Sequence, residues 1–147
     1  MKKRVTLYTD GSSLGNPGPG GYGGILEYGN HTKEYSGAEP DTTNNRMELK
    51  AVIEGLKMLK EPCRVDIVSD SSYVIKAINE WLDGWIKKGF KKVKNPDLWQ
   101  EYLKVSQEHD INGVWVRGHN GHPQNERCDE LAKAKAEEIK NRMKDNE

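Results

Sequence analysis

Val5-Thr6-Leu7-Tyr8-Thr9-Asp10-Gly11-Ser12-Ser13 decides the architecture: apolar and polar residues alternate as in a half-buried strand, and the run stops at a carboxylate followed by Gly and Ser. Asp10 is therefore expected at the C-terminal end of a strand. Sixty residues later, Val65-Asp66-Ile67-Val68-Ser69-Asp70-Ser71-Ser72 repeats the pattern. If these two strands lie side by side and parallel, their backbones are about 4.8 Å apart and both carboxylates emerge on one edge of the sheet. Two anions that close call for a cation. Either Asp taken singly fits an Asx-turn at a strand end equally well. It is the duplicated placement that favours a site.

The chain has 147 residues, of which 34% are hydrophobic and 31% charged, with 23 basic residues balancing 23 acidic ones. That length suits one domain with a real core, so residues 1–147 are expected to form a single unit ending in a charged tail from about 140. Zero net charge means that any electrostatic signal for nucleic acid has to be local. Met1-Lys2-Lys3-Arg4 runs into a strand without the apolar stretch of a signal peptide, and no segment approaches the length of a membrane span. The expectation is a cytoplasmic protein without a membrane role. Cys63 and Cys128 are isolated, so free thiols are expected rather than a zinc site.

Around the two acidic strand ends the remaining elements can be read in turn. Gly11 to Gly21 holds five glycines and two prolines and is expected to be an irregular loop, either a plain long turn or a binding loop. Strands over Tyr22 to Tyr28 and Thr32 to Ser36 follow, joined at Gly29-Asn30. Asp41-Thr42-Thr43-Asn44-Asn45 caps a helix whose stripe is Leu49, Val52, Ile53, Leu56 and Leu59, with Glu48 in its first turns. A Glu there is ordinarily a solvated acid. Ser71 to Asn79 fits a short helix burying Val74, Ile75 and Ile78. From Trp81 to Lys104, six lysines stand against Asp83, Asp97 and Glu101, a local net of +3 interleaved with Trp81, Trp85 and Phe90. Such a segment suits phosphate tracking, and it suits equally an amphipathic helix with inward tryptophans. Asn95-Pro96 is the expected N-cap and first position of the next helix, which sends Leu98, Tyr102 and Val105 inward. Ile111 to Val116 is the last strand, and the final helix buries Cys128, Leu131, Ala132, Ile139 and Met143. Asp129 lies in that helix's early turns, after a Gly-flanked loop carrying His119 and His122. Those two histidines lack the further ligands that zinc would need.

Alternating strands and helices with one hairpin indicate an α/β layer, a mixed sheet with helices on its faces. Sites in such sheets lie at the carboxyl ends of the parallel strands, where Asp10 and Asp70 are, and Glu48 and Asp129 could reach the same edge.

Five segments, in order, resemble bacterial type 1 ribonuclease H (ribonuclease HI) over about residues 4–136. They are Thr9-Asp10-Gly11-Ser12 with Asn16-Pro17-Gly18, Thr42-Thr43-Asn44-Asn45-Arg46-Met47-Glu48-Leu49, Ser69-Asp70-Ser71, Trp115-Val116-Arg117-Gly118-His119-Asn120-Gly121-His122, and Asn125-Glu126-Arg127-Cys128-Asp129-Glu130-Leu131-Ala132. The resemblance implies a five-stranded mixed sheet of order 3-2-1-4-5 with helices on both sides. It implies hydrolysis of the RNA strand of RNA/DNA hybrids, leaving 5′-phosphate and 3′-hydroxyl ends. By the same resemblance Asp10, Glu48, Asp70 and Asp129 bind two Mg²⁺ ions, for which Mn²⁺ can substitute, and His119 serves in proton shuttling or product release. Asn16, Asn44 and Asn45 would contact the RNA strand. Thr43 and Asn95 would form a phosphate pocket for the DNA strand, and Tyr73, Trp81 and Trp85 its channel, beside a basic protrusion of Lys87, Lys88, Lys91, Lys92 and Lys94. No obligate protein partner is implied, and a monomer is expected.

Three positions depart from the family pattern. Asp41 stands where some relatives have Arg, the basic protrusion is short, and Ser72 replaces a longer amide. All three bear on affinity, and none touches the acids. A DNA endonuclease of the resolvase or integrase kind would share the sheet and acids but not the RNA-reading asparagines or the lysine-aromatic segment. A hybrid-binding module without catalysis would gain nothing from four acids facing a phosphate backbone.

Overall fold

The computed structural model describes residues 2–118 and 121–145, so His119 lies outside the described residues. Five strands, β1 (Lys3–Ser13), β2 (Gly18–Tyr28), β3 (His31–Thr42), β4 (Cys63–Ser69) and β5 (Asp110–Trp115), form one sheet of order β3-β2-β1-β4-β5. The pairs β1/β2 and β2/β3 are antiparallel, while β1/β4 and β4/β5 are parallel. Tyr8 is the register partner of Val68. Two residues further along each chain stand Asp10 and Asp70, so the parallel register delivers both acids to one edge, as the repeated pattern requires.

The expected irregular loop from Gly11 to Gly21 is mostly strand: β1 continues to Ser13 and β2 begins at Gly18. Gly15 and Gly18 meet each other at the short turn that remains, and the other glycines serve close packing instead. A Cβ on Gly21 would lie 2.3 Å from the Ala132 carbonyl oxygen, and one on Gly23 would lie 2.5 Å from the Leu131 Cβ. Bare backbone here lets the last helix, α5 (Pro123–Asp145), press onto the β1–β3 face.

On the opposite face, α1 (Asn44–Lys57) packs across β1 and β2 and α4 (Pro96–Ser106) packs on α1. Val5, Leu7, Val65 and Ile67 from the strands meet Leu49, Val52, Ile53 and Leu56 of α1 and Trp99 and Tyr102 of α4 in the main core. Between β4 and α4 the chain forms α2 (Ser72–Lys76), one π-helical turn over Ala77–Trp81, and α3 (Leu82–Lys87). Val74 and Ile75 are buried there as expected, whereas Ile78, in the π-helical turn, is only half-buried.

The segment expected as a tail from about 140 continues α5 to Asp145. Its buried stripe ends at Ala136: Ile139 is half-buried and Met143 is exposed, so Met143 does not belong to the core expected for it from sequence. Helical spacing continued past the point where the helix has a sheet to cover.

Candidate active site

Asp10 and Glu48 meet because Gly11 has no side chain. A Cβ on Gly11 would lie 2.3 Å from both the Glu48 nitrogen and the Met47 carbonyl carbon. The first turn of α1 therefore rests directly on the end of β1. That turn is fixed by Thr43, whose hydroxyl accepts a hydrogen bond from the Arg46 N–H at 3.2 Å. Asp10 is buried, and its Oδ1 accepts from the Gly11 N–H at 2.9 Å.

Carboxylate oxygens of Asp10, Glu48 and Asp70 all lie within 4.8 Å of one another. Asp129, from the early turns of α5, lines the same cleft of about 410 Å³ together with Asn44, Asn45, Ser71, Ser72 and Tyr73. Lys133 reaches Asp129 at 3.0 Å, one turn along the helix. Gly118, next to His119 in sequence, approaches so closely that a Cβ would sit 2.6 Å from Asp70 Oδ2. The Trp115 indole N–H donates to the Asp70 carbonyl oxygen at 3.1 Å, and the Val116 N–H donates to Ser69 O at 3.0 Å. These bonds tie the end of β5 to the end of β4.

Crowding makes these acids hard to ionise together. Burial pushes the Asp10 carboxyl up to about 6, and the neighbouring Asp70 charge adds to the rise. Burial, then the charge of Asp10, lifts Glu48 well above the ordinary carboxylate range. Glu48 Oε2 is buried without a hydrogen-bond partner. An orphaned buried oxygen beside two further carboxylates is a hard, anionic donor set that fits a divalent cation.

A second groove, about 480 Å³, adjoins the cleft and shares Asn44 and Asn45 with it; Asn16, Thr43, Lys94 and Asn95 complete its lining. The structure thus brings together the residues expected to meet the RNA strand and those expected to form the phosphate pocket. Asn44 Oδ1 accepts from the Ser13 N–H at 2.7 Å and from the Ser13 hydroxyl at 3.3 Å, which leaves its amide N–H₂ to face outward.

Asn95 does not act as the expected side-chain cap. It sits in the left-handed region at φ 58°, a conformation that Asn tolerates, and its side chain makes no capping bond. Its Oδ1 instead accepts from Arg46 Nη1 at 3.2 Å, and its Nδ2 donates to the Tyr73 hydroxyl at 3.3 Å. Arg46 also grips Asp97 with two bonds of 3.0 and 2.8 Å, while the Trp99 indole donates to the Tyr73 hydroxyl at 2.9 Å. Sequence reasoning missed the positioning done by Arg46, Asp97 and Trp99. Arg46 stands within the Thr-Thr-Asn-Asn stretch, but its partner lies 51 residues away and no local pattern reports it.

The tryptophans divide between the two roles considered for them. Trp85 packs inward on Trp99, with ring centroids 5.4 Å apart, and Trp81 leans on Trp85 at 5.9 Å while remaining 41% exposed. Lys87, Lys88, Lys91, Lys92 and Lys94 are all exposed.

The RNase H family model matches residues 2–137. The chain belongs to the RNase H family. It is 69% identical over 139 residues to a Ribonuclease H of Sulfurovum sp. (strain NBC37-1), a match covering 95% of each chain. Among solved structures, it resembles LC9-RNase H1, a type 1 RNase H with the type 2 active-site motif. The TM-score is 0.85 at 34% identity, with 95% of this chain and 74% of that one covered. It also resembles LC11-RNase H1, solved in complex with RNA/DNA hybrid, with a TM-score of 0.69 at 26% identity over 91% of this chain and 97% of that one. The family is one of nucleases whose members use divalent metal, and the buried cluster of Asp10, Glu48 and Asp70 could hold such an ion. Among the described residues, no helix is long and apolar enough to cross a membrane.

Proposed function

We propose that the chain cuts the RNA strand of RNA/DNA hybrids at the Asp10–Glu48–Asp70 cleft, using two Mg²⁺ ions and leaving 5′-phosphate and 3′-hydroxyl ends. One observation carries the reading: three carboxylates within 4.8 Å, one with an orphaned buried oxygen, open directly into a groove lined by asparagines and a lysine. Asp10, Glu48, Asp70 and Asp129 would hold the cations, with Asp10 central because its strand is the middle one of the sheet. Bound there, paired cations would stabilise charge on the attacking and leaving oxygens of an in-line displacement at phosphorus.

The chain's own groups do the rest. Asn44, its oxygen held by Ser13, turns its amide hydrogens toward a ribose 2′-hydroxyl, the group that distinguishes RNA from DNA. Asn16 and Asn45 sit on the same groove for the same strand, and Thr43 and Asn95 offer donors to a phosphate of the DNA strand. Tyr73, Trp81 and Trp85, with the exposed lysines from Lys87 to Lys94, carry that strand onward. His119, the residue after Gly118 in sequence, serves as proton shuttle or in product release. The protein is read as one domain over 1–147, acting as a monomer in the cytoplasm.

Strand-labelled hybrid, duplex DNA, duplex RNA and single strands, each incubated with Mg²⁺, test this reading. Cleavage confined to the RNA of the hybrid is the expected result. Cleavage of duplex DNA, or hybrid binding without any cut, would replace it.

A further inference from the structure

Beside the acid cleft, and sharing Ser72 with it, lies a third, largely apolar hollow of about 360 Å³ lined by Ser72, Ile75, Lys76 and Trp115, none of which lines the asparagine groove. Trp115 is 53% exposed, more open than any other large apolar side chain among the described residues. Its ring is nonetheless held. The indole N–H is bound to the Asp70 carbonyl. Two residues earlier, Gly113 is clamped by Asn79, whose Nδ2 donates to Gly113 O at 3.0 Å while its Oδ1 accepts from the Gly113 N–H at 3.1 Å. This amide supplies the pairing that a sixth strand would give, so β5 presents the indole from a fixed edge. Beside it Ile75 is buried, whereas the Lys76 side chain is exposed.

A strand cut in the acid cleft must continue past the scissile phosphate in both directions. Asn44 and Asn45 join the cleft to the asparagine groove, and Ser72 joins it to the apolar hollow. In a hybrid the bases are paired inside the duplex, so the strand offers its sugars and phosphates to the protein. We propose that Trp115, Lys76 and Ser72 form a subsite for the RNA strand beyond the scissile phosphate, with the indole packed on one ribose and the Lys76 ammonium on the adjoining phosphate. The subsite rests on the hybrid-cutting reading and deepens it. Trp115 would hold substrate with its face while its N–H steadies the Asp70 strand end.

Binding of hybrids in EDTA tests this, using wild type, Lys76→Ala, Trp115→Phe and Trp115→Ala. One substrate series is shortened on the 5′ side of the RNA, one on the 3′ side, and one in the DNA strand alone. On full-length hybrid, Trp115→Ala should weaken binding on the order of five- to tenfold, with Trp115→Phe between it and wild type. Lys76→Ala should lower the slope of log K against log[salt] by about 0.7–0.9. Both deficits should disappear when the RNA is shortened on one side, and persist in the other two series. Deficits that persist at every length would make Trp115 and Lys76 structural only, and variants equal to wild type on full-length hybrid would also overturn the subsite. A wild type that cuts no hybrid under Mg²⁺ overturns the activity reading itself, and the subsite with it.

Discussion

Gly11 lies beneath the Met47–Glu48 peptide so closely that a Cβ on it would stand 2.3 Å from the Glu48 nitrogen. This close approach sets how near α1 can come to β1, and so sets the Asp10–Glu48 spacing. Gly11→Ala should therefore force the helix start outward, costing about 1–3 kcal/mol in urea denaturation. The hybrid-cutting rate should fall by about tenfold or more, because small misplacements of reacting groups are costly. A fully active Gly11→Ala protein would show that this spacing does not matter.

Asp10 should work against the stability of the metal-free protein. Its folded pKa is raised to about 6, above an unfolded value of about 3.9. For a raised acid, the stabilising contribution is complete below the unfolded pKa and is lost as pH rises through the folded one. In EDTA, wild type should thus gain stability as pH falls from about 7 toward 4.5, relative to Asp10→Asn. At pH 7 the variant should be the more stable by on the order of 1–3 kcal/mol. Mg²⁺ should stabilise wild type much more than the variant. Urea curves in EDTA and in Mg²⁺ at both pH values decide it; a less stable Asp10→Asn, with equal metal response, would make Asp10 a structural cap.

The protrusion should act through counterion release. Replacing Lys87, Lys88, Lys91 and Lys92 with Ala should weaken hybrid binding and flatten its salt dependence by about 0.7–0.9 for each phosphate that a lysine had neutralised. The chemical step, read in single turnover, should stay near wild type. An unchanged slope would assign these lysines to a solvated face.

Arg46 should matter through Asn95. Its guanidinium fixes the Asn95 oxygen and pairs with Asp97, leaving the amide hydrogens to Tyr73 and the groove. Arg46→Ala should raise KM for hybrid severalfold, about 1 kcal/mol, with kcat nearly kept, and Asn95→Ala should add little on top of it. Independent, additive effects would separate Arg46 from the phosphate groove.

How much of this was legible depended on how local each cause was. Strand alternation ending in Asp10 and Asp70 pointed to the parallel pair, because register and site were written in the same few residues. Gly11, Gly20 and Gly21 misled, since their purpose is close packing against α1 and α5, which lie far along the chain, whereas Gly15 and Gly18 do sit against each other at the turn between β1 and β2. Asn95-Pro96 carried a true helix start, but the left-handed backbone at Asn95 turned its amide to Arg46 and Tyr73 rather than to the helix end. Met143 kept helical spacing after the sheet had run out beneath it. Trp115 falls within a stretch that resembles the family, but its exposure follows from its place on an edge strand, visible only once the strand order was known.

The most direct measurement of the central claim is an end analysis of hybrid cut by the wild type, with Asp10→Asn beside it, in Mg²⁺ and in EDTA. The account predicts RNA fragments with 5′-phosphate and 3′-hydroxyl ends in Mg²⁺, none in EDTA, and a rate lower by orders of magnitude in Asp10→Asn although hybrid still binds. Cleavage that persists in EDTA, or fragments ending in a 2′,3′-cyclic phosphate, would contradict it.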